Sequence, residues 1–528
     1  MRTGPLLAAA TCKHLAVYNI EAAHYGGMKW LRHRFQANVT AQELEETYLP
    51  AFRACVMEGN AQQIMCSYNS IAVSGGPHPY NSTPACLDGV ILNDMMRGDW
   101  GFNGSVVSDC DSLSDAHFAH HWAPVVGDGG NASAAETVVA GLEGGCDMDC
   151  GKPPRYRWRL RCVGQMVPAT IVWTGSFYTD YANESLAQGL LSEATIDRAL
   201  QRIFTMRLRL GEFDPEHSNP YNRLGAADAD SANHRAAALQ AARESIVLLN
   251  NSAGVLPLAP GKAKSIACVG MLANATRLNG NPDATGGGSE MGGKNDYVPA
   301  FTISILDGLR MVFGRDSVGF ENGVVGVSDA NESGFPAAVA LARRSEVTVA
   351  VVGLDGNNEG EGHDRANTTL VGVQSELVQA LMAAVGPDRL VVVLVNGGSL
   401  SVDWIKHNCP TVVEAFEGGQ SGGQALAEVL SGAVAPSGVL PYTMYPAEYL
   451  NQVTHWGMSM RTAPGKPRRS APTDEQTVVW SGQTCNLLLV AAQVGAIGST
   501  RARRCGLSAT PAPTRPGRWR GLSTRRRR

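Results

Sequence analysis

The chain has 528 residues, 44% of them hydrophobic and 17% charged, with a formal net charge of −4 at pH 7. That balance excludes a disordered chain, leaves room for two or more domains, and gives no global attraction to nucleic acid or an anionic membrane. No apolar run approaches the ~18 residues that span a bilayer. The opening "MRTGPLLAAA" has too short an apolar part for a signal peptide.

In chain order, residues 41–58 and 87–97 read as helices, each followed by a short apolar run, "IMCSYN" and "GSVVSD". Helices alternating with buried strands point to a parallel sheet and an α/β architecture. "LSEATIDRALQRIFTMRLRLGEFDP" is the clearest helix. Ser192 suits the N-cap, Ile196, Leu200, Ile203, Met206 and Leu210 recur at helical spacing, and Gly211 supplies the stop.

The first domain is expected over 1–215, a linker over 216–232 and a second α/β domain over 233–460. In the second domain, helix 233–247, strand "SIACVG", helix 335–345, strand "VTVAVVGLDG", helix 373–385, strands "LVVVLVNGG" and "TVVEAF" and helix 422–431 follow one another. Their near-continuous apolar strands suit burial on both faces, and their glycine-marked ends are where open α/β sheets bind ligands. Residues 152–175 and the Arg- and Pro-rich tail 461–528 carry no periodicity.

Several motifs favour a plain reading. "GGGSEMGGKN" falls short of a phosphate loop because Asn295 follows Lys294 where Ser or Thr would hold magnesium. His117, His120 and His121 share a helical face, but without a recognisable acidic or cysteine partner a packing role outweighs zinc. Cys146 and Cys150 lack a second pair at finger spacing, and the basic tail reads as solvated rather than nucleic-acid-binding. Neither a metal nor another cofactor is expected. Twelve cysteines, with Cys66 and Cys86 placed to pair, and N-x-[ST] triplets at Asn38, Asn81, Asn131, Asn183, Asn274, Asn331 and Asn367 lean toward a glycosylated protein of an oxidising, secretory compartment.

The carboxylates carry more. In "GFNGSVVSDCDSLSDAH" a buried strand stops at Asp109 and Asp111, which is either a turn cap or a site; strand ends of a barrel project side chains into a binding face. In "VVGLDGNNEGEGHDR" a second buried strand breaks at Gly353 into a loop with Glu359 and Glu361. Each loop alone is better explained as an exposed acidic loop. Together they offer the two carboxyl groups that glycosidic cleavage requires, one to attack and one to donate a proton.

"CKHLAVYN", "IMCSYNSI", "MMRGDWGFNGSVVSDCDSL", "AARESIVLLNN", "VVGLDGNNEGEGHDR" and "GGQSGGQALAEVLSGAVAPSGVLPYTMYPAEY", with the 192–211 helix between the third and fourth, resemble the ordered landmarks of glycoside hydrolase family three. The likeness covers residues 11–150 and 176–460. It implies a partial TIM-type (β/α) barrel followed by an α/β sandwich with a mostly parallel sheet, and a retaining, exo-acting mechanism. By the same likeness Asp109 matches the nucleophile, Glu359 the general acid/base with Glu361 in reserve, Lys13 and His14 the pair that binds the sugar, and Tyr68 a residue lining its pocket; Asp111 remains a loop or capping acid.

Cys110, where the family's glucosidases carry Trp, is similar to the branch of β-xylosidases and α-L-arabinofuranosidases that act on xylan, with β-glucosides the alternative substrate. An oligosaccharide or aryl glycoside is the implied partner, without nucleic acid or membrane, in an extracellular or cell-wall setting. The oligomeric state is not legible. The chain departs from the family pattern by starting almost at the Lys13-His14 pair and by lacking the fibronectin-like domain, so the expectation is a chain truncated at both ends. A non-catalytic carbohydrate-binding or inactive remnant is therefore the rival reading.

Overall fold

A computed structural model of the chain describes residues 6–21, 32–75, 82–122, 131–151, 176–259, 263–275, 302–360 and 364–452, with 160–162, 165–167, 261, 479–480 and 483–484 besides. Glu361, the Lys294 loop, most of 152–175 and nearly all of the tail lie outside these residues.

The N-terminal half contains β1 (Thr11–Leu15), β2 (Gln36–Thr40), α1 (Pro50–Met57), β3 (Gln63–Cys66), β4 (Ser70–Ser74), β5 (Thr83–Pro84), β6 (Ser105–Ser108), α2 (Ser112–Phe118), α3 (Ala134–Gly144), α4 (Phe177–Ala187) and α5 (Glu193–Arg209). Strands β1, β3 and β6 lie side by side and parallel, in the arrangement of a barrel arc. Met148 extends the arc by a parallel bridge to Val107. A smaller sheet pairs β2 with β4 in parallel and β4 with β5 antiparallel. Leu15, Ile64, Val106, Leu113, Val138 and Phe177 share one core, which is why all four residues of β6 are buried.

The expected helix at 41–58 is divided. A capping box starts it, with Thr40 Oγ1 accepting the Glu43 N–H at 3.1 Å, and a π-helical turn spans Leu44–Tyr48. Pro50 then opens α1, at a position where the missing N–H costs nothing. The 87–97 helix is a π-helical segment, Val90–Asp99, started by Asp88 Oδ1, which accepts the N–H groups of Val90 and Ile91 at 3.1 Å. Ser192 caps α5 as expected, but its inward face differs from the expected stripe. Thr195 and Ala199 are buried, whereas Leu200, Phe204 and Leu208 stand exposed.

The C-terminal half contains α6 (Ala232–Ser245), β7 (Val247–Asn251), β8 (Ile266–Val269), α7 (Ile305–Phe313), β9 (Val318–Glu321), α8 (Phe335–Arg344), β10 (Val347–Gly353), α9 (Gln374–Val385), β11 (Leu390–Val395), α10 (Asp403–Asn408), β12 (Thr411–Glu414) and α11 (Gly422–Ser431). One sheet runs β9-β8-β10-β11-β12-β7, parallel throughout except for β7, an antiparallel edge strand. Successive strand residues serve opposite faces. Val349, Val351, Val391 and Val393 pack on one side with α7 and α11, while Ala350, Val352, Val392 and Leu394 pack on the other with α8 and α9. Helices α7 and α11 cross with backbones touching, since a Cβ on Gly308 would lie 2.0 Å from Gly423 O.

The pairing Cys66–Cys86 is present, and Cys12–Cys55 joins it. Among the described residues no helix is long and apolar enough to cross a membrane.

Candidate active site

The C-terminal ends of β1, β3 and β6 converge on Asp109. Its N–H donates to Cys66 O at 3.0 Å across the strand ends, which aims the side chain out of the arc. Asp109 Oδ1 accepts the Cys110 N–H at 2.8 Å, and Oδ2 lies 3.2 Å from His14 Nε2. Burial lowers the His14 pKa, opposed by the charge of Asp109 and helped by that of Lys13. A neutral imidazole facing a carboxylate donates its Nε2–H, which fixes the orientation of the Asp109 side chain.

Lys13 and His14 line a pocket of about 300 Å³ together with Val17, Tyr18, Asn19, Thr47, Tyr48 and Phe52. Asn19 Nδ2 donates to Tyr48 Oη at 3.1 Å, so the pocket combines aromatic walls with polar groups, the pairing that suits a sugar ring. The described side-chain contact on Asp109 is from His14, not Lys13; Lys13 acts on His14.

Tyr68, directly after β3, is buried, and its ring sits 5.9 Å from that of Tyr18 and 4.3 Å from that of His33. Arg32 stacks over it at 5.4 Å and pairs with Glu21 at 3.0 Å. His33 Nδ1 lies 2.5 Å from Asp115 Oδ2. None of Arg32, His33 or Asp115 stood out in the sequence, because the contacts that join them to Tyr68 and to each other link residues from 35 to 82 positions apart on separate segments. His120, grouped earlier with His117 and His121, turns inward and donates Nε2–H to the Tyr68 carbonyl at 2.9 Å. Asp111 occupies the N-cap position of α2 with φ 69°, a left-handed conformation that Asp tolerates. The thiol of Cys110, pushed up to about 12 by burial and by Cys150, lies with its Sγ 2.6 Å from that of Cys150.

On the other half, β10 ends at Gly353 and the chain turns at Asp355, whose Oδ1 accepts the Asn357 N–H at 3.1 Å. Glu359 then reaches back to the loop after β11. Its Oε1 accepts the Gly397 N–H at 2.6 Å and its Oε2 the Gly398 N–H at 2.7 Å. Arg365 faces this carboxylate and donates to Ser399 O at 2.6 Å.

The two halves meet at this loop, where the Glu21 N–H donates to Asp364 Oδ2 at 3.0 Å. A continuous set of contacts thus leads from Asp109 through His14, Tyr18, Tyr68, Arg32 and Glu21 to the acidic loop.

A carboxylate at the mouth of a parallel barrel arc, an aromatic and polar pocket beside it, and a second acidic loop docked from an α/β domain together describe an architecture in which both halves bring acids to one region. Residues 8–206 match the family model described as the glycosyl hydrolase family 3 N terminal domain, and residues 246–475 match the one for that family's C-terminal domain. The chain belongs to glycosyl hydrolase family 3.

It is 34% identical over 470 residues to "Beta-xylosidase/alpha-L-arabinofuranosidase 2" of Medicago sativa subsp. varia, covering 88% of this chain and 53% of that protein. Its identity to "Beta-D-xylosidase 1" of Arabidopsis thaliana is 33%, over 88% of this chain and 52% of that one. A solved exo-beta-xylosidase of the family, in complex with a xylobiose aziridine probe, superposes with a TM-score of 0.69 at 28% identity, covering 86% of this chain and 51% of that one. A beta-glucosidase from Listeria innocua in complex with glucose gives 0.62 at 25% identity, over 81% and 49%. The chain spans about half the length of the curated relatives it matches.

Proposed function

We propose that the protein is a retaining, exo-acting glycoside hydrolase that removes xylose or arabinose from the non-reducing ends of hemicellulose-type oligosaccharides. The observation that carries this is Asp109, held at the strand mouth by the N–H donors of His14 and Cys110, with His14 also lining the adjoining pocket. In the first step the Asp109 carboxylate attacks the anomeric carbon, the glycosidic C–O bond breaks, and the leaving oxygen takes a proton from the acid on the Gly353 loop. In the second, that group removes a proton from water, which displaces Asp109 from the glycosyl ester. The names of the xylosidase relatives support a pentose, and the disulfides support an oxidising, extracellular setting.

Glu359 and Glu361 divide the remaining role. Both carboxylate oxygens of Glu359 are taken up by main-chain N–H groups, those of Gly397 and Gly398, which suits an anchor of the loop. We therefore assign donation to Glu361 and anchoring to Glu359, reversing the order that the resemblance implies.

The test is a panel of aryl xyloside, arabinofuranoside and glucoside with Asp109→Asn, Glu359→Gln and Glu361→Ala. Asp109→Asn abolishes turnover. Glu361→Ala spares activated aryl glycosides relative to poor leaving groups and is rescued by azide. Undiminished turnover by Asp109→Asn refutes the assignment. Calorimetric binding of xylo-oligosaccharides without turnover by the unsubstituted protein would support the non-catalytic, carbohydrate-binding reading instead.

A further inference from the structure

Asp115 is buried in the first turn of α2, and α2 is tied to the nucleophile itself, since the Ser112 N–H donates to Asp109 O at 3.0 Å. The Asp115 carboxyl meets His33, on the segment before β2, with Oδ2 2.5 Å from Nδ1. The other ring nitrogen of His33, Nε2, faces Arg32 Nε at 3.2 Å. A guanidinium N–H only donates, so Nε2 presents a lone pair there, and the one ring proton sits on Nδ1, donating to Asp115. The two neighbours thereby fix a single neutral tautomer. Arg32 is held elsewhere as well. Its Nη1 donates to Glu21 Oε2 at 3.0 Å and its main-chain N–H to Glu21 O at 3.1 Å, while its guanidinium lies over the Tyr68 ring, itself 4.3 Å from that of His33. Glu21 then turns its own N–H to Asp364 Oδ2 of the acidic loop at 3.0 Å.

We propose that Asp115, His33 and Arg32 form a positioning relay that sets the acidic loop of the C-terminal half against the nucleophile. Every link has a direction. Asp115 takes the Nδ1–H, which leaves Nε2 to orient Arg32, and Arg32 fixes the main chain of Glu21, whose N–H docks Asp364. The relay starts on the helix that follows Asp109 and ends on the loop that carries Glu359, so it couples the two carboxyl-bearing elements across the halves. Partners of this kind act on a histidine by fixing its tautomer and ring orientation. Weakening a link loosens the placement of the acidic loop, and a retaining mechanism needs its two carboxyl groups about 5–5.5 Å apart. The bearing of the relay on turnover rests on that two-carboxyl reading of the site.

Two measurements on the full chain test this. In ring-nitrogen NMR of histidine-labelled protein near neutral pH, with His33→Gln to identify the signal, His33 is expected as the Nδ1–H tautomer with a bare Nε2; an Nε2–H tautomer or an imidazolium overturns the proposal. Hydrogen exchange of the peptide containing Glu21 reads the far end of the relay. His33→Phe keeps a flat ring against Tyr68 but neither nitrogen, and is expected to speed exchange at Glu21 about tenfold, whereas His33→Gln, with a donor for Asp115 and an acceptor for Arg32, stays within about threefold of the unsubstituted protein. Should His33→Phe not fold, Glu21→Gln, which weakens the Arg32 link and keeps the main-chain N–H, gives the same readout. If the protein turns over glycosides, His33→Phe also lowers kcat about tenfold with KM unchanged, and His33→Gln restores most of it. Absence of turnover in every variant and in the unsubstituted protein sinks the functional reading and leaves the tautomer and the exchange to decide the relay. A fall in Tm for His33→Phe with unchanged exchange at Glu21 marks a merely structural pair and overturns the proposal.

Discussion

Strand β6 delivers Asp109, and a buried charge cluster holds that strand in place. Asp147 is fully buried; its Oδ2 accepts the Val106 N–H at 2.8 Å and Arg97 Nη2 at 2.7 Å, and its Oδ1 accepts Arg202 Nη1 at 2.8 Å. Asp147→Ala leaves the Arg97 guanidinium, only 10% exposed, with the Gly104 and Gly145 carbonyls but no carboxylate, and takes the side-chain acceptor from the Val106 N–H. Two charge-assisted bonds at about 1.5–3 kcal/mol each give about 3–6 kcal/mol, and the removal of one partner from a buried pair gives about 3–5 kcal/mol; we take about 3–5 kcal/mol. For a cooperative unit of this size that is a fall in Tm of roughly 6–20 °C.

Asp147→Asn keeps an oxygen for Val106 but neutralises the charge, and should lie between the variant and the unsubstituted protein. The control is Glu212→Ala, which removes the half-exposed pair with Arg207 and should cost about 0–1 kcal/mol. Urea unfolding followed by far-UV circular dichroism at pH 7 reads all three. A loss below about 1 kcal/mol for Asp147→Ala would refute the idea that this cluster supports the nucleophile strand.

Acid should weaken the N-terminal half through His120, which burial holds at about 4 against an ordinary 6.5. Between those values the unfolded chain binds a proton that the folded one excludes. Stability therefore falls as pH drops through that window, by about 3 kcal/mol in all, and His120→Gln should flatten the dependence in pH-resolved unfolding. Gly353→Ala places a Cβ 1.8 Å from Val395 O, where β10 leaves the sheet, and should destabilise by more than about 3 kcal/mol, whereas Gly356→Ala, with open space around it, should leave Tm unchanged.

Much of the architecture was legible because it depends on local pattern. The apolar runs of β8, β10, β11 and β12 announce strands covered on both faces, and Ser192 announces the start of α5. Strand β7 escaped notice because its "VLLNN" lacks alternation and is only partly buried; its antiparallel pairing with β12, 160 residues away, makes it a strand. The outward Leu200 shows the limit of periodicity, which specifies spacing along a helix but not which side meets the core.

The sequence by itself determined the order of the strands' apolar runs, the position of Asp109 at a strand end, and the acids on the Gly353 loop, since each depends on neighbours within a few residues. Only the tertiary structure decided that His14 serves Asp109, that Gly397 and Gly398 occupy both oxygens of Glu359, and that His33 faces Asp115. Those partners lie 38 to 95 residues apart along the chain. Their charge states follow from the burial and the donors that folding brings to them, which no local pattern encodes.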